Sequence, residues 1–317
     1  MSKSYFEILR PGINTTIQDK GRYHLYHIGI AVSGAIDQRN YKLANSLVGN
    51  QLDEAVIEFA YQGPLLKLKN GKINFAITGD IVFKIIRKNF KIEDGECYKN
   101  YTLDSDDQID IISTKKTAYG YLSVKDGFKL QKTWGSSSTN TRANIGPNNG
   151  KKYSIDNKIF IKNSNTQELS EKKLNYRNTP DNIIRIIKGT NFDYFSTEAK
   201  NKFLNESFLV TNLADRIGIR LKGPKIENIK SSNIKSEGLI RGVIQVPADG
   251  DPIIMLSDHG TIGGYPKIAS VISADLDLVG QLTPRTNIKF KEVSLEEAEN
   301  IFKAYTEETN KHINECN

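Results

Sequence analysis

Along most of the chain, short apolar runs of β-branched and aromatic residues are broken by Gly, Asn and Asp. That pattern predicts half-buried strands rather than helices. Predicted strands fall at 5–9, 55–59, 65–68, 73–78, 81–86, 108–112 and 120–124, and again at 183–187, 208–211, 217–221, 239–246, 252–256, 267–272 and 287–293. Helical patterns rarely separate them, so the spacing predicts a sandwich or barrel and argues against a doubly wound sheet. Three helices interrupt the series. Asp37 is placed to cap a helix whose Tyr41, Ala44 and Val48 share one face, and Gly49 supplies the left-handed stop. A second helix is predicted at 196–204. The third follows Ser294, which with Glu297 spells a capping box; Val293 and Ala298 can staple its entry, and Ala298, Ile301, Phe302 and Tyr305 face one side.

Between 163 and 182 the apolar periodicity disappears into Asn, Ser, Thr, Gln, Glu and Lys. Such a stretch reads as a linker or long loop. It divides the chain into a first β domain at 1–165, a polar linker at 166–182, and a second β domain with its C-terminal helix at 183–317. Gly63-Pro64 and Gly223-Pro224 each follow a strand, a faint echo of duplication.

Length and composition fit this division. At 317 residues the chain is about twice a usual domain. With 38% hydrophobic residues, 14 Tyr and 13 Phe it can fill cores without staples, and Cys97 and Cys316, far apart, suggest a reducing compartment. The net charge of +7 would suit nucleic acid only if clustered. It is spread over both halves, no basic run exceeds two residues, and Trp134 is the only Trp, so the surplus reads as solvated surface. The start carries Lys3, Glu7 and Arg10 and no apolar stretch of signal-peptide length, and nothing later matches a membrane span. A soluble, cytoplasmic protein is expected.

Several machines are missing their residues. The segment from Gly146 to Lys152 is one residue short of a phosphate-binding loop and lacks its Ser or Thr. Neither Met1 nor Met255 neighbours a lysine, so the chain has no biotinyl hairpin. His24 and His27, on a segment read as extended, point to opposite faces, and no metal is expected. Ser257-Asp258-His259 has the residue types of a hydrolase triad, but adjacent residues on an extended segment point apart. Denser chemistry lies between Glu237 and Pro266, where a Gly263-Gly264-Tyr265-Pro266 turn lets backbone amides approach a ligand beside an aromatic wall.

Ordered motifs then carry a resemblance. They begin with Pro11-Gly12, Thr16 to Asp19, Gly21-Arg22, Ser33 to Ala35 with Asp37, Ala44 to Asn50, Glu58 and Gly63-Pro64. Gly135-Ser136, Ser138-Thr139, Asp215-Arg216, Ser236 to Gly238 and Gln245 to Pro247 follow, then Asp258, Thr261, Gly263 to Pro266, Ala274 to Leu276 and Gln281-Leu282. Together they resemble the allophanate hydrolase subunit 2 family, also called biotin-dependent carboxyltransferase-like, which includes the C component of 5-oxoprolinase, the KipI antagonist and the carboxyltransferase region of urea carboxylase. Against the family pattern, Gly260 and Ile262 replace a Gln and a Thr, and Pro284-Arg285 replaces Pro-Gly.

The resemblance implies a mainly β fold of tandem cyclophilin-like β-barrel domains with few short helices. It implies a heteromeric complex with a KipI-like subunit 1 protein (the B component of 5-oxoprolinase) and a LamB/YcsF-type protein (its A component), which together open 5-oxoproline to glutamate using ATP. This chain holds no covalent cofactor in that reading and is inactive without its partners. The alternatives are carboxyl transfer to urea or a similar small amide from biotin carried on another protein, and a non-catalytic regulator of a KipI-like partner. Asp37, Glu58 and Asp258 are the candidate general bases, with Tyr265 beside them as a catalytic candidate. Gln245, Thr261, Gly263 and Gly264 are candidate donors to a carbonyl oxygen that gains charge, and Asn45, Asn50 and Gln281 complete the candidate substrate-binding set.

Overall fold

The computed structural model describes residues 3–163, 169–176 and 181–316. The chain forms two compact units. One comprises Met1–Arg22, Ser33–Thr179 and Thr309–Asn317; the other comprises Tyr23–Val32 and Pro180–Glu308.

The first unit is built from β1 (Tyr5–Arg10), β2 (Asn14–Gln18), α1 (Gln38–Leu47), β3 (Val56–Ala60), β4 (Leu65–Lys69), β5 (Lys72–Thr78), β6 (Ile81–Ile86), β7 (Ile92–Asp94), β8 (Asn100–Asp104), β9 (Gln108–Thr114), β10 (Tyr119–Val124) and β11 (Lys158–Phe160). Its strands form two sheets, in the orders β11-β1-β4-β9-β6-β7 and β2-β3-β10-β5-β8. Alternation along β1, β4 and β6 sends Phe6, Ile8, Leu66, Leu68, Phe83 and Ile85 into one apolar cluster with Ile57, Phe59, Ile73, Phe75 and Leu122 of the other sheet. α1 begins where expected, with the Asp37 side chain accepting from Asn40 N–H. Its buried face meets β5 and β10. Leu43, Leu47 and Val48 join Ile313 and Cys316, from the far end of the sequence, in a second cluster. Ser46 Oγ donates to the Ile313 carbonyl at 3.1 Å and Arg39 Nε to Thr309 Oγ1 at 2.9 Å.

Of the polar stretch 166–182, residues 164–168 and 177–180 lie outside the described residues, as do 1, 2 and 317. The part that is described runs along β8: Asn100 N–H donates to the Lys172 carbonyl at 3.1 Å and Leu174 N–H to the Tyr98 carbonyl at 2.9 Å.

The second unit contains β12 (Ile183–Lys188), α2 (Thr197–Asn205), β13 (Phe208–Ala214), β14 (Gly218–Lys222), β15 (Glu237–Gly238), β16 (Val243–Gln245), β17 (Ile253–Met255), β18 (Ile262–Gly263), β19 (Lys267–Val271), α3 (Leu276–Gly280), β20 (Asn287–Glu292) and residues 295–308 of α4 (Leu295–Glu315). Seven strands close a barrel in the order β12-β19-β16-β17-β14-β13-β20, sealed by the parallel β12–β20 pair. Closure leaves no free sheet edge to protect. Ser196 caps α2, and Ser294 and Glu297 form both arms of the expected capping box on α4. Val293, Ala298, Ile301 and Tyr305 pack together as the spacing required, while Phe302 is half exposed.

Two sequence expectations need correction. The predicted strand 239–246 is cut short, because β16 covers only Val243–Gln245 and Gly242, at φ +90°, turns the chain just before it. The segment bearing His24 and His27 is not extended: Tyr26–Ile28 forms a 3-10 turn and His24 sits at φ +66°. No helix among the described residues is long and apolar enough to cross a membrane.

Candidate active site

In the first unit the fold brings Asp37, Glu58 and Tyr121 to one place. Glu58 lies mid-strand on β3, wholly buried, opposite Tyr121 of β10. Its Oε2 accepts from Ile36 N–H at 2.8 Å, and the Tyr121 hydroxyl accepts from Asp37 N–H at 2.8 Å, so two neighbouring side chains hold two successive amides at the entry to α1. Asp37 itself accepts from Asn40 N–H at 2.9 Å and from Asn40 Nδ2 at 2.6 Å. Its Oδ1 therefore caps the helix, while Oδ2 holds the Asn40 side chain. Asn40 Oδ1 accepts in turn from the Tyr98 hydroxyl at 2.7 Å.

Asn45 and Asn50 are placed differently. Asn45 donates to the Glu54 carbonyl at 2.8 Å and accepts from Ser123 Oγ at 2.7 Å; Asn50 donates to the Val124 carbonyl and accepts from Asp126 N–H, each at 2.8 Å. Their amides knit α1 to the end of β10.

A second polar knot in this unit was not singled out from sequence as a site. The buried Asp19 carboxylate accepts from Gly21 N–H at 2.8 Å, Ser136 Oγ at 2.7 Å, Ser137 N–H at 2.6 Å and Ser138 Oγ at 2.6 Å. Buried Arg22 donates to the Ser138 carbonyl, and Gln18 Nε2 to the Thr139 carbonyl at 2.9 Å. Ser33 and Trp134 adopt positive φ around it, and at Gly146 (φ +108°) a Cβ would stand 2.4 Å from the Ser138 carbonyl oxygen. Backbone strain concentrated in one place is characteristic of binding and catalytic loops. The Ser-rich run 136–138 beside Gly21-Arg22 was the sequence signal for it.

In the second unit the candidates divide into an ion pair and a turn. Asp258 and Arg216, both almost fully buried, meet in a two-pronged pair, Nε to Oδ2 at 2.8 Å and Nη2 to Oδ1 at 3.2 Å. Asp258 is thus committed to a guanidinium. The triad types at 257–259 do not assemble. Buried His259 holds the Gly260 carbonyl through Nδ1 at 2.5 Å and the Tyr26 hydroxyl through Nε2 at 3.3 Å, while Ser257 Oγ is buried with no hydrogen-bond partner among the described residues. Burial lowers the His259 pKa, favouring the neutral ring, and burial raises that of Tyr26, keeping its proton. One tautomer fits both bonds: Nδ1–H donates to Gly260 and Nε2 accepts from Tyr26.

Gln245 ends β16, buried, and its Nε2 donates to the Tyr265 carbonyl at 3.1 Å. Gly263 lies against that amide so closely that a Cβ would stand 2.7 Å from Gln245 Nε2, and a Cβ on Gly264 would stand 3.2 Å from the Ile234 carbonyl oxygen. Tyr265 is half exposed at the turn, and the Thr261 carbonyl accepts from Leu239 N–H. Gln281, also buried, caps the C-terminal end of α3. Among the described residues no group of three or more His, Cys, Asp or Glu converges as metal ligands would.

Residues 28–292 match the family model described as carboxyltransferase domain, subdomain A and B. The chain is 30% identical over 294 residues to the C component of 5-oxoprolinase from Haemophilus influenzae, covering 92% of each chain, and 28% identical over 299 residues to that of Escherichia coli, again covering 92% of each. The structure is similar to that of Kluyveromyces lactis urea carboxylase, with a TM-score of 0.88 at 26% identity, over 98% of this chain and 29% of that one.

Proposed function

This chain belongs to the carboxyltransferase domain family, subdomains A and B, and from that premise we propose that it is the counterpart of the 5-oxoprolinase C component, part of an ATP-consuming amidohydrolase that converts 5-oxoproline to glutamate. The observation that carries this reading is the correspondence with the two bacterial C components over nearly all of both chains, against a match to less than a third of urea carboxylase. The partners in this reading are a KipI-like protein and a LamB/YcsF-type protein, ATP is consumed by the assembly, and the chain alone is inactive.

Opening a ring amide places negative charge on the carbonyl oxygen and a proton on the leaving nitrogen. The Gln245 amide and the Gly263 and Gly264 N–H groups are the donors we assign to the oxygen, with Tyr265 as the half-exposed proton carrier. Asp258 acts through Arg216, as a positioning residue. Coexpression with the two partner proteins, followed by measurement of glutamate released from 5-oxoproline, tests the reading. A folded complex with no ATP-dependent turnover refutes it, and stable binding of the KipI-like partner without turnover would make the chain a regulator instead.

The fold match to urea carboxylase favours one second reading, carboxyl transfer to urea or a similar small amide from biotin on another protein. Sensitivity of the activity to avidin separates it from the first.

A further inference from the structure

Lys267 begins β19 directly after the Gly263 to Pro266 turn, and its side chain is only 4% exposed. Its backbone is clamped: its N–H donates to Asn191 Oδ1 at 3.0 Å and its carbonyl accepts from Asn191 N–H at 3.1 Å. The ammonium donates to Glu237 Oε2 at 2.7 Å. An ammonium carries three donors, and among the described residues Glu237 is the only side chain it bonds. A buried cation served by one acceptor is short of partners.

The two ends of this pair differ. Lys267 sits on a strand of the closed barrel. Glu237 is 46% exposed and rides on β15, whose ribbon with β18 has only two residue pairs, Glu237 with Gly263 and Gly238 with Ile262. Backbone bonds from Leu239 N–H to the Thr261 carbonyl and from Ile234 N–H to the Gly264 carbonyl, each at 2.9 Å, extend the ribbon, so it is the half-exposed Glu237 side chain and not its backbone that has water to turn to. Glu237 can therefore leave for water while Lys267 cannot follow. The turn already described adjoins this pair along the strands: Gln245 is the register partner of Lys267 across β16 and β19, and Gly263, pressed on the Gln245 amide, is the register partner of Glu237.

We infer that Lys267 is the anchor for the carboxylate of a small organic acid, and that Glu237 is its displaceable internal counterion, holding the site in the unliganded chain. Glu237 already presents a carboxylate to Lys267, which is the chemistry the ligand would repeat. The inference deepens the reading above, since 5-oxoproline carries a carboxylate next to its ring amide, and it assigns Lys267 the end of the ligand that does not react.

Binding to the full chain tests it without turnover. Isotope-labelled protein is titrated with 5-oxoproline, with 2-pyrrolidinone, which is the same ring without the carboxylate, and with inorganic phosphate. The expected result is saturable binding of 5-oxoproline with shifts at Gln245, Gly263 and Lys267, and affinity at least about tenfold weaker for 2-pyrrolidinone. Glu237→Gln should bind 5-oxoproline about tenfold tighter, because the internal competitor is gone, and Lys267→Met should abolish the gain. Lys267→Arg keeps the charge and guards against misfolding; it should retain carboxylate preference. Equal affinity for 2-pyrrolidinone, or no tightening in Glu237→Gln, overturns the inference. Phosphate binding at least as tightly as 5-oxoproline overturns the carboxylate assignment. In the assembled complex, an unchanged KM for Glu237→Gln sinks the inference alone, whereas carboxylate binding without any turnover sinks only the proposed reaction.

Discussion

Removing one partner of the Arg216–Asp258 pair is the sharpest stability test the barrel offers. Both side chains are nearly inaccessible, at 6% and 4% exposure, and the contact is two-pronged. Arg216→Met leaves the Asp258 charge buried without its guanidinium, at a cost of about 3–5 kcal/mol, and Asp258→Asn takes the charged two-pronged acceptor from Arg216. Replacing both, as Arg216→Met with Asp258→Leu, removes the charges together and should cost far less than the sum, giving a coupling energy above about 2 kcal/mol. Trp134 lies in the first unit, so its fluorescence is no reporter for the barrel. Native-state hydrogen exchange read by mass spectrometry over 215–222 and 252–259 is the suitable assay, because the amides of Asp258 and Leu256 bond the carbonyls of Arg216 and Ile217 there. Each single variant should exchange at least about 100-fold faster in this region. Single variants within about 1 kcal/mol of the parent, or costs that simply add in the double variant, would refute the assignment of a tight buried pair.

Other outcomes follow from the same geometry. Burial holds the His259 pKa below its ordinary value, so the unfolded chain binds the extra proton first and stability is fully present above the unfolded pKa near 6.5, then lost as pH falls below it. His259→Gln should flatten that loss, and a proton NMR titration showing the native imidazole charging above pH 6.5 would contradict it. Asp19→Ala leaves two hydroxyls and two backbone N–H groups facing an empty position, at about 1–3 kcal/mol for each that finds no water. A thermal melt within 1 °C of the parent would show that the knot does not hold its loops. The half-buried Cys97 thiol, pushed up to about 11 chiefly by burial, should react with a thiol reagent at pH 8 well below the rate of a free peptide thiol, and labelling at that rate would overturn its protonated state.

What the sequence made legible is where apolar residues alternate and where caps stand. Asp37, Ser196 and the Ser294–Glu297 box were readable because a cap is a local bond across three residues. β2 escaped because three of its four buried positions, Thr15, Thr16 and Gln18, are polar and only Ile17 is apolar, their polarity being satisfied by partners that hydrophobic patterning ignores. β8 escaped for a similar reason, with Asn100 buried and bonded to the chain at 170–172. Among candidate site residues, the Gly263–Gly264–Tyr265 turn was visible because glycines mark close approach. Arg216 with Asp258, and Glu237 with Lys267, were not, because each pair joins residues 30 or more positions apart and only the barrel's register sets them side by side. The resemblance supplied several of these residues as motif members without saying which of them touch.

The crossing of chain segments between the two units has a consequence for biosynthesis. Leu43 and Leu47 on α1, with Val48 just past its end, find part of their apolar cover in Ile313 and Cys316, which are translated after all of the barrel. During elongation the first unit must wait, with one side of α1 unsheathed, while some 130 residues of the second are made. Its last core layer is sealed only after that delay. A nascent chain in this state is a natural client for a holding chaperone, and codon changes that slow translation between 180 and 308 would lengthen the vulnerable interval without altering a single residue.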